Sequence, residues 1–165
     1  MTDFANRIEG GRRLGPLLAL ALVGSDDPVL LAVMPNGVPV ALGIVECSSL
    51  PIRSLPVLRR DDGVTIAPRD DLAGRTVIVV DDGVETGTVA RAAADALRES
   101  GAGRLILAVP VCPREALAHL QHDYDLIVAV VQPMARRDLA WHYADFDTID
   151  EATALLLLQG HDSTS

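Results

Sequence analysis

Residues 77–89 read Val77-Ile78-Val79-Val80-Asp81-Asp82-Gly83-Val84-Glu85-Thr86-Gly87-Thr88-Val89, and this stretch decides the fold. It opens with β-branched residues, which are typical of a strand buried on both faces of a parallel sheet. Two adjacent carboxylates and a loop of small residues follow, and the alanine-rich residues 90–97 then predict a helix. The stretch therefore predicts a strand–loop–helix unit of an α/β protein.

The loop of this unit has the composition of an anion-binding site. Loop amides and the N-terminus of the following helix present hydrogen-bond donors and positive potential to a phosphate. Thr86 and Thr88 can add hydroxyl donors, and the glycines allow the backbone to approach a ligand closely. Because Asp81 and Asp82 would repel a phosphate, they suit the hydroxyls of a ribose, or a Mg²⁺ ion held by those hydroxyls.

Residues 79–88 resemble the loop that binds phosphoribosyl pyrophosphate (PRPP) in type I phosphoribosyltransferases. A hydrophobic strand, Asp-Asp and Thr-Gly-Thr all fall at the offsets of that family. The resemblance implies that Asp81 and Asp82 bind the ribose hydroxyls of PRPP together with Mg²⁺. It also implies that the loop wraps the 5′-phosphate through Gly83, Val84, Glu85, Thr86, Gly87 and Thr88. An ordinary strand–turn–helix with a solvated aspartate pair is the alternative.

A second strand and glycine turn precede this unit. Residues 29–34 predict a buried strand, and we expect a helix over residues 40–47 after the turn at residues 35–39. The turn and its continuation, Pro35-Asn36-Gly37-Val38-Pro39-Val40-Ala41, resemble the pyrophosphate-binding loop of one phosphoribosyltransferase subgroup, Pro-Arg-Gly-Gly-Val-Pro-Val-Ala. One glycine is missing, and Asn36 replaces an arginine that can pair twice with pyrophosphate. Asn36 and Gly37 are therefore candidate ligand contacts, with a purely structural turn as the alternative.

Strands and helices alternate from Val29 onward. Further elements are expected over residues 2–23, 88–100 and 114–120 (helices), over 105–111 and 125–132 (strands), and in a last helix through Leu158 that a capping box at 148–151 opens. This order predicts a doubly wound, mostly parallel sheet with helices on both faces and ligands at the carboxyl ends of the strands. We expect a single domain over residues 1–160 and a frayed tail at 161–165.

Residues 50–66 form the least regular segment of the chain. A strand over residues 51–58, a turn at 59–63 and a return strand over 64–67 are expected. In the resembling family a longer mobile loop closes over PRPP at this point and supplies a basic residue. Three residues are candidates to replace that basic residue here: Arg53, Arg59 and Arg60. The alternative, which we favour, is that these are solvated arginines in an exposed turn.

Composition narrows the class of protein. Of the 165 residues, 49% are hydrophobic and only 3% are aromatic, so Val, Leu, Ile and Ala must fill the core. The net charge of −9 argues against a nucleic-acid-binding surface. All 14 basic residues are arginines, and a chain without lysine excludes a P-loop and the acidic pocket of a response regulator.

The cysteines and the apolar runs bear on the compartment. Cys47 and Cys112 have no metal-ligand spacing and are expected to be reduced core thiols. No signal sequence and no apolar run of membrane-spanning length is present in the sequence, so we expect a cytoplasmic protein without a membrane partner. The family resemblance further implies small-molecule substrates and a homodimer.

Three of the five aromatic residues lie close together near the C-terminus: Trp141, Tyr143 and Phe146. They form either a platform on which a base stacks or a hydrophobic lid that fixes the C-terminal segment to the sheet. We favour packing.

The resemblance also implies a chemistry. In a phosphoribosyl transfer, pyrophosphate leaves C1 of the ribose and a nucleophile, usually a ring nitrogen, takes its place. Asp81 and Asp82 would orient the ribose and place negative charge near the developing cation. Glu85 occupies the position at which 6-oxopurine phosphoribosyltransferases carry an acidic general base, which makes it a catalytic candidate. A solvated loop carboxylate is the alternative.

Three features depart from the family pattern: Asn36, Val89 in place of a phosphate-loop threonine, and the short middle segment. The sequence is therefore compatible with two functions. One is a Mg²⁺-dependent phosphoribosyltransferase acting on a nucleobase or small acceptor. The other is a catalytically weak relative that binds PRPP or a nucleoside monophosphate as a sensor or regulatory subunit. A metal-dependent hydrolase would need further ligands, which the sequence does not cluster.

Overall fold

The structure is a computed structural model that describes residues 2–164. Its seven strands are β1 (Val29–Val33), β2 (Ile52–Leu55), β3 (Leu58–Arg60), β4 (Gly63–Thr65), β5 (Thr76–Val80), β6 (Arg104–Val111) and β7 (Leu126–Val131). Its five α-helices are α1 (Arg7–Ala21), α2 (Gly37–Ile44), α3 (Thr88–Glu99), α4 (Arg114–Leu120) and α5 (Glu151–Thr164).

Five strands form a parallel sheet in the order β2-β1-β5-β6-β7. The central strand β5 is buried along its whole length, as its β-branched sequence predicts. The chain first winds outward from β1 to β2 and then returns to place β5 on the other side of β1. The strand order therefore reverses between β1 and β5. In open α/β sheets the crevice at such a reversal is the usual ligand site.

Helices cover both faces of this sheet. Alternate side chains of β5 divide between two cores: Val77 and Val79 pack with α3, whereas Ile78 and Val80 pack with α1, α2 and α5. Leu97 of α3 and Leu14 of α1 are fully buried, one in each core. The predicted doubly wound α/β fold is confirmed.

Helix α1 is shorter than the predicted residues 2–23, because Asn6 caps it by accepting a hydrogen bond from the Glu9 amide at 2.9 Å. The glycines that interrupt its apolar pattern are contact residues. A Cβ at Gly11 would clash with the carbonyl of Val40, so the absence of a side chain allows α1 and α2 to pack backbone to backbone. Helix α2, in contrast, begins at Gly37, earlier than the predicted start at residue 40, and it ends at Ile44.

The middle segment differs from the prediction. The expected strand over residues 51–58 is split: β2 joins the main sheet beside β1, and β3 pairs antiparallel with β4 in a separate hairpin. The turn of this hairpin is Asp61-Asp62, shorter than the expected 59–63, since Arg59 and Arg60 belong to β3 and Gly63 to β4.

The last helix begins at a different cap from the one predicted. The Asp150 carboxylate accepts from the amide of Thr153 at 2.7 Å, so Asp150 caps α5 and the expected box from Thr148 does not form. The helix continues beyond Leu158 to Thr164, while Met1 and Ser165 lie outside the described residues. The domain limits 1–160 and the frayed tail stay predictions.

The cysteines differ in their environment. Cys112 is buried after β6, whereas Cys47 is exposed at the end of a 3-10 turn, so the expectation of two core thiols is wrong for Cys47. Both thiols are free. Among residues 2–164, no helix combines the length and the apolar character that crossing a bilayer requires.

Candidate active site

A cavity of about 350 Å³ lies at the carboxyl ends of β1 and β5, where the strand order reverses. The loops that follow these two strands form its walls. The cavity therefore brings together almost all of the site residues that the sequence analysis singled out, namely Asn36, Asp81, Asp82, Gly83, Val84, Glu85, Thr86, Gly87 and Thr88. Gly37 does not line the cavity, and Val89 does.

The two aspartates of the loop have different surroundings. Asp82 is buried, and its Oδ2 lies 3.0 Å from Nε of Arg7 in an ion pair. Asp81 is half-buried and accepts a hydrogen bond from the Asp82 amide at 2.8 Å, but it forms no ion pair within the described residues. Burial, and then the negative charge of Asp82, raise the pKa of Asp81 well above its usual range. A cation bound beside Asp81 would relieve this strain.

The remainder of the loop presents the N-terminus of α3 to the cavity. Gly87 caps this helix in the left-handed conformation (φ 84°), which a glycine adopts without steric cost. The hydroxyls of Thr86 and Thr88 lie 3.1 Å apart and are exposed. Two hydroxyls and the first amides of a helix therefore lie close together at the cavity, an arrangement suited to binding a phosphate.

The turn after β1 forms the opposite wall. A Cβ at Gly37 would clash with the carbonyl of Val80, so this glycine allows the turn to lie directly against the end of β5. The side-chain oxygen of Asn36 is buried and has no hydrogen-bond partner among residues 2–164. A buried acceptor without a partner is costly, so a donor group on water or on a ligand would stabilise it.

Glu85 is exposed at the cavity and also contacts the C-terminal segment. Its Oε1 accepts a hydrogen bond from the amide of Leu139 at 2.9 Å. Leu139 begins the 3-10 turn Leu139–His142, so Glu85 is tied to the first amide of that turn. The other carboxylate oxygen is left to interact with a ligand.

Of the three arginines in the middle segment, Arg59 lines the cavity. It lies on β3, and its positive charge lowers the pKa of Asp81 against the larger opposing effects. Arg53 instead pairs with Asp71. Arg59 and Arg60 are both exposed, as the favoured interpretation of solvated arginines expects, and Arg59 also borders the cavity that holds the acid pair.

The aromatic residues of the C-terminal segment serve two purposes. Tyr143 is buried against Phe4 and Phe146, with ring centroids 5.4 and 5.3 Å away, as the packing alternative expects. Phe146 also lines the cavity, where it offers an apolar wall. Trp141 is 46% exposed and lies under the guanidinium of Arg137, away from the cavity.

Sequence reasoning missed Arg7 and the role of Tyr143. The Tyr143 hydroxyl donates to the backbone carbonyl of Asp82 at 2.6 Å, while Arg7 pairs with the side chain of the same residue. Arg7 looks like one polar position of an amphipathic helix in the sequence. Its burial depends on residues 75 positions away, and no local pattern signals that contact.

The donor set at the cavity fits a Mg²⁺ ion. Mg²⁺ is commonly held by one or two carboxylates together with the phosphates of a substrate and water. Asp81 supplies an unpaired carboxylate and Asp82 an adjacent one. No group of three or more His, Cys, Asp or Glu side chains suited to a metal occurs in the described part of the chain.

Comparison with known proteins shows which family the chain belongs to. The model of the phosphoribosyl transferase domain matches residues 22–136. A Mycobacterium tuberculosis protein named as a phosphoribosyl transferase is 33% identical over 94 residues, which are 56% of this chain and 21% of that protein. An amidophosphoribosyltransferase of Synechocystis is 32% identical and is covered over 19% of its length. The chain spans about a fifth of the length of these curated relatives.

Solved structures share the fold. TT1426 of Thermus thermophilus superposes with a TM-score of 0.81 at 23% identity, covering 97% of this chain and 99% of that one. A hypothetical protein of Neisseria gonorrhoeae with bound ppGpp gives 0.60 at 15% identity over 94% of this chain and 92% of its own. A hypoxanthine phosphoribosyltransferase of Staphylococcus aureus gives 0.55 at 15% identity, covering 67% and 65%. The chain thus belongs to the phosphoribosyl transferase domain family, as a type I member.

Proposed function

We propose that this protein binds PRPP with Mg²⁺ and transfers the phosphoribosyl group to a nitrogen of a nucleobase or similar small acceptor, releasing pyrophosphate. The observation that carries the proposal is the cavity at the β1/β5 reversal. One of its walls holds an acid pair followed at once by the hydroxyls and amides of a helix start. A ligand with a ribose diol next to a phosphate matches that sequence of groups.

Each part of the proposed substrate has its own contacts. The 5′-phosphate lies at the start of α3, against the Thr86 and Thr88 hydroxyls and the loop amides. Asp81 and Asp82 accept from the ribose hydroxyls, and their negative charge stabilises the cationic character that develops at C1. Mg²⁺, when bound, neutralises the departing pyrophosphate. Asn36 donates to that pyrophosphate through its amide nitrogen once the side chain turns about its last bond.

Arg59 supplies the positive charge that position 36 lacks. In this proposal its guanidinium, on the β3–β4 hairpin that borders the cavity, pairs with the pyrophosphate. The hairpin thereby takes the place of a longer closing loop. Glu85 accepts the proton of the incoming acceptor through the carboxylate oxygen that Leu139 does not occupy. Phe146 gives a flat acceptor an apolar surface.

A second function, a sensor of PRPP or of another nucleotide, is favoured by one specific observation. Asn36 offers pyrophosphate one neutral amide where an arginine would pair with it twice, which weakens stabilisation of the departing pyrophosphate. The Neisseria gonorrhoeae structure of similar fold contains ppGpp, a nucleotide. In this reading the cavity holds a nucleotide without turnover.

The first test is isothermal titration calorimetry of the purified protein with PRPP, with and without Mg²⁺. We expect binding that requires Mg²⁺ and that Asp81→Asn weakens at least about tenfold, because the variant removes a carboxylate from the donor set. Asp95→Asn is the control for the loss of one negative charge, and it should not weaken binding, since Asp95 is an exposed aspartate on α3 outside the cavity. Wild-type protein that gives no heat with PRPP would show that the likeness is one of fold alone.

A second assay separates enzyme from sensor. Pyrophosphate release is followed while nucleobases and other nitrogen acceptors are supplied with PRPP and Mg²⁺. Release that depends on the acceptor and is lost in Glu85→Gln supports the transferase; binding without release supports the sensor.

We further propose, from the family resemblance, a homodimer in the cytoplasm, where the two free thiols would remain reduced. Sedimentation analysis tests the dimer.

A further inference from the structure

We propose that Arg7 is a positioning residue that fixes the carboxylate of Asp82 and, through it, the ligand-binding loop, so that the two aspartates are not equivalent. The inference rests on the proposed function, and it concerns a residue outside the loop and outside the cavity lining. Arg7 is the first residue of α1, and its side chain is 5% exposed against 9% for Asp82.

The guanidinium of Arg7 is held from three directions. Nε pairs with Asp82 Oδ2 at 3.0 Å, Nη1 donates to the carbonyl of Asp147 at 2.8 Å, and the guanidinium carbon lies 3.9 Å from the centre of the Phe146 ring. A planar, delocalised cation is suited to such simultaneous pairing and stacking, which a lysine cannot reproduce. Arg7 therefore links the acid pair to the aromatic wall of the cavity.

The ion pair with Arg7 gives Asp82 a role different from that of Asp81. A buried carboxylate without a counter-ion is strongly unfavourable, and Arg7 provides that counter-ion to Asp82. One of the two oxygens of Asp82 is thereby committed inside the protein. Asp81, which has no ion pair among residues 2–164, keeps its carboxylate for a ligand and its cation. Arg7 acts on the ligand only through Asp82.

Asp82 is also held through its backbone. Tyr143 donates to its carbonyl, and the segment around Tyr143 pairs with the start of the chain through a parallel bridge to Phe4. The amide of Ala144 donates to the Phe4 carbonyl at 2.8 Å. The two terminal segments of the described chain thus converge on one residue of the loop. Loss of Arg7 should loosen that residue and the loop after it.

The test combines ligand binding with hydrogen exchange. Arg7→Met is compared with Arg12→Met, which removes an exposed arginine from the same helix. We expect Arg7→Met to lower the affinity for PRPP and Mg²⁺ about 10- to 100-fold and to speed amide exchange in residues 81–88, while Arg12→Met changes neither. Arg7→Lys, which keeps the charge, should recover part of the affinity.

A double variant shows whether Arg7 acts through Asp82. The affinity of Arg7→Met/Asp82→Asn should match that of Asp82→Asn within about twofold, whereas independent roles would make the two losses multiply. The double variant leaves no unpaired buried charge, so it also serves if Arg7→Met does not fold.

The two proposals fail separately. Wild-type protein that binds no PRPP defeats the transferase and sensor functions, yet faster exchange in the loop of the Arg7 variant would still support the positioning role. Exchange at the wild-type rate in folded Arg7→Met would overturn that role whether or not PRPP binds. Multiplying losses in the double variant would overturn it as well.

Discussion

At the scale of single residues, close backbone contacts decide which positions accept a side chain. Gly11 of α1 faces the carbonyl of Val40, and a Cβ there would clash with backbone that cannot turn aside. We expect Gly11→Ala to lower the free energy of unfolding by about 1–3 kcal/mol, as overpacking of a core contact does. Urea denaturation measures the change.

The control for that variant has the opposite expected sign. Gly160 lies in α5, and a Cβ there would meet nothing within 4 Å. Gly160→Ala should leave the free energy of unfolding unchanged or raise it by up to about 1 kcal/mol, through helix propensity. If Gly11→Ala unfolded at the same urea concentration as the wild type, the prediction would be wrong. The result would mean that α1 and α2 can move apart to accommodate the added Cβ without loss of stability.

Residue roles divide into those that local sequence predicts and those that it does not. The loop from Asp81 to Thr88 was predictable because strand, acid pair and helix start follow one another within a few residues. Its lining of one cavity with Asn36 followed from the strand order. Arg7 could not be predicted, since its burial depends on a partner 75 positions away. Gly11 leaves a gap in the apolar spacing of the predicted helix, and its contact role was not predictable because its neighbour, Val40, lies on another element.

At the scale of whole elements, helix and strand limits were predictable where strong end signals occur. Helix α4 (Arg114–Leu120) agrees with the prediction, and α3 (Thr88–Glu99) ends beside Gly101, which has a positive φ of 82°. The segment from β2 to β4 was not predictable in the same way. Its short apolar runs fit either an edge strand of the main sheet or a separate hairpin, and only long-range pairing decides between them.

The two cysteines lie at the ends of different elements and differ in exposure, so we expect their thiols to differ in reactivity. Cys112, just after β6, is fully buried, and burial raises the pKa of its thiol to about 11. Only about one part in a thousand of that thiol is ionised at pH 8, whereas Cys47 is exposed. We expect one thiol per chain of the native protein, Cys47, to react rapidly with Ellman's reagent. The second, Cys112, should react only on unfolding.

Cys47→Ser identifies the fast thiol in that experiment. This variant should lose the rapid phase and keep the slow one, because Cys112 stays inside the core between β6 and α3. Two rapid equivalents from the native wild type would contradict the burial of Cys112. They would also indicate that the end of β6, which borders the loop at Val84 through the Val111 carbonyl, opens easily.

At the scale of the whole molecule, charge works against the ligand that the cavity is proposed to bind. The net charge is −9, and PRPP is itself strongly anionic, so long-range repulsion opposes their encounter. Three carboxylates lie at the cavity: Asp81, Asp82 and Glu85. Two arginines are close to them, since Arg59 lines the cavity and Arg7 pairs with Asp82. Attraction must therefore come from contacts at short range and from Mg²⁺.

This balance predicts an unusual dependence on salt. At low ionic strength the Debye length is about 30 Å, and near 0.1 M it falls to about 10 Å. Screening therefore weakens the overall repulsion more than the short-range contacts. With Mg²⁺ saturating, we expect the affinity for PRPP to hold steady or rise up to a few-fold between about 10 and 100 mM NaCl, as measured by calorimetry.

A surface variant tests whether the overall charge is the cause. Asp95→Asn/Glu99→Gln removes two exposed negative charges from α3 and changes the net charge from −9 to −7. Its affinity at low salt should exceed that of the wild type, and its response to salt should be smaller, because less repulsion remains to be screened. An affinity that falls steeply with salt in both proteins would instead mean that a local positive field, centred on Arg59, controls binding. In that case the hairpin that carries Arg59 would be the element that captures the ligand.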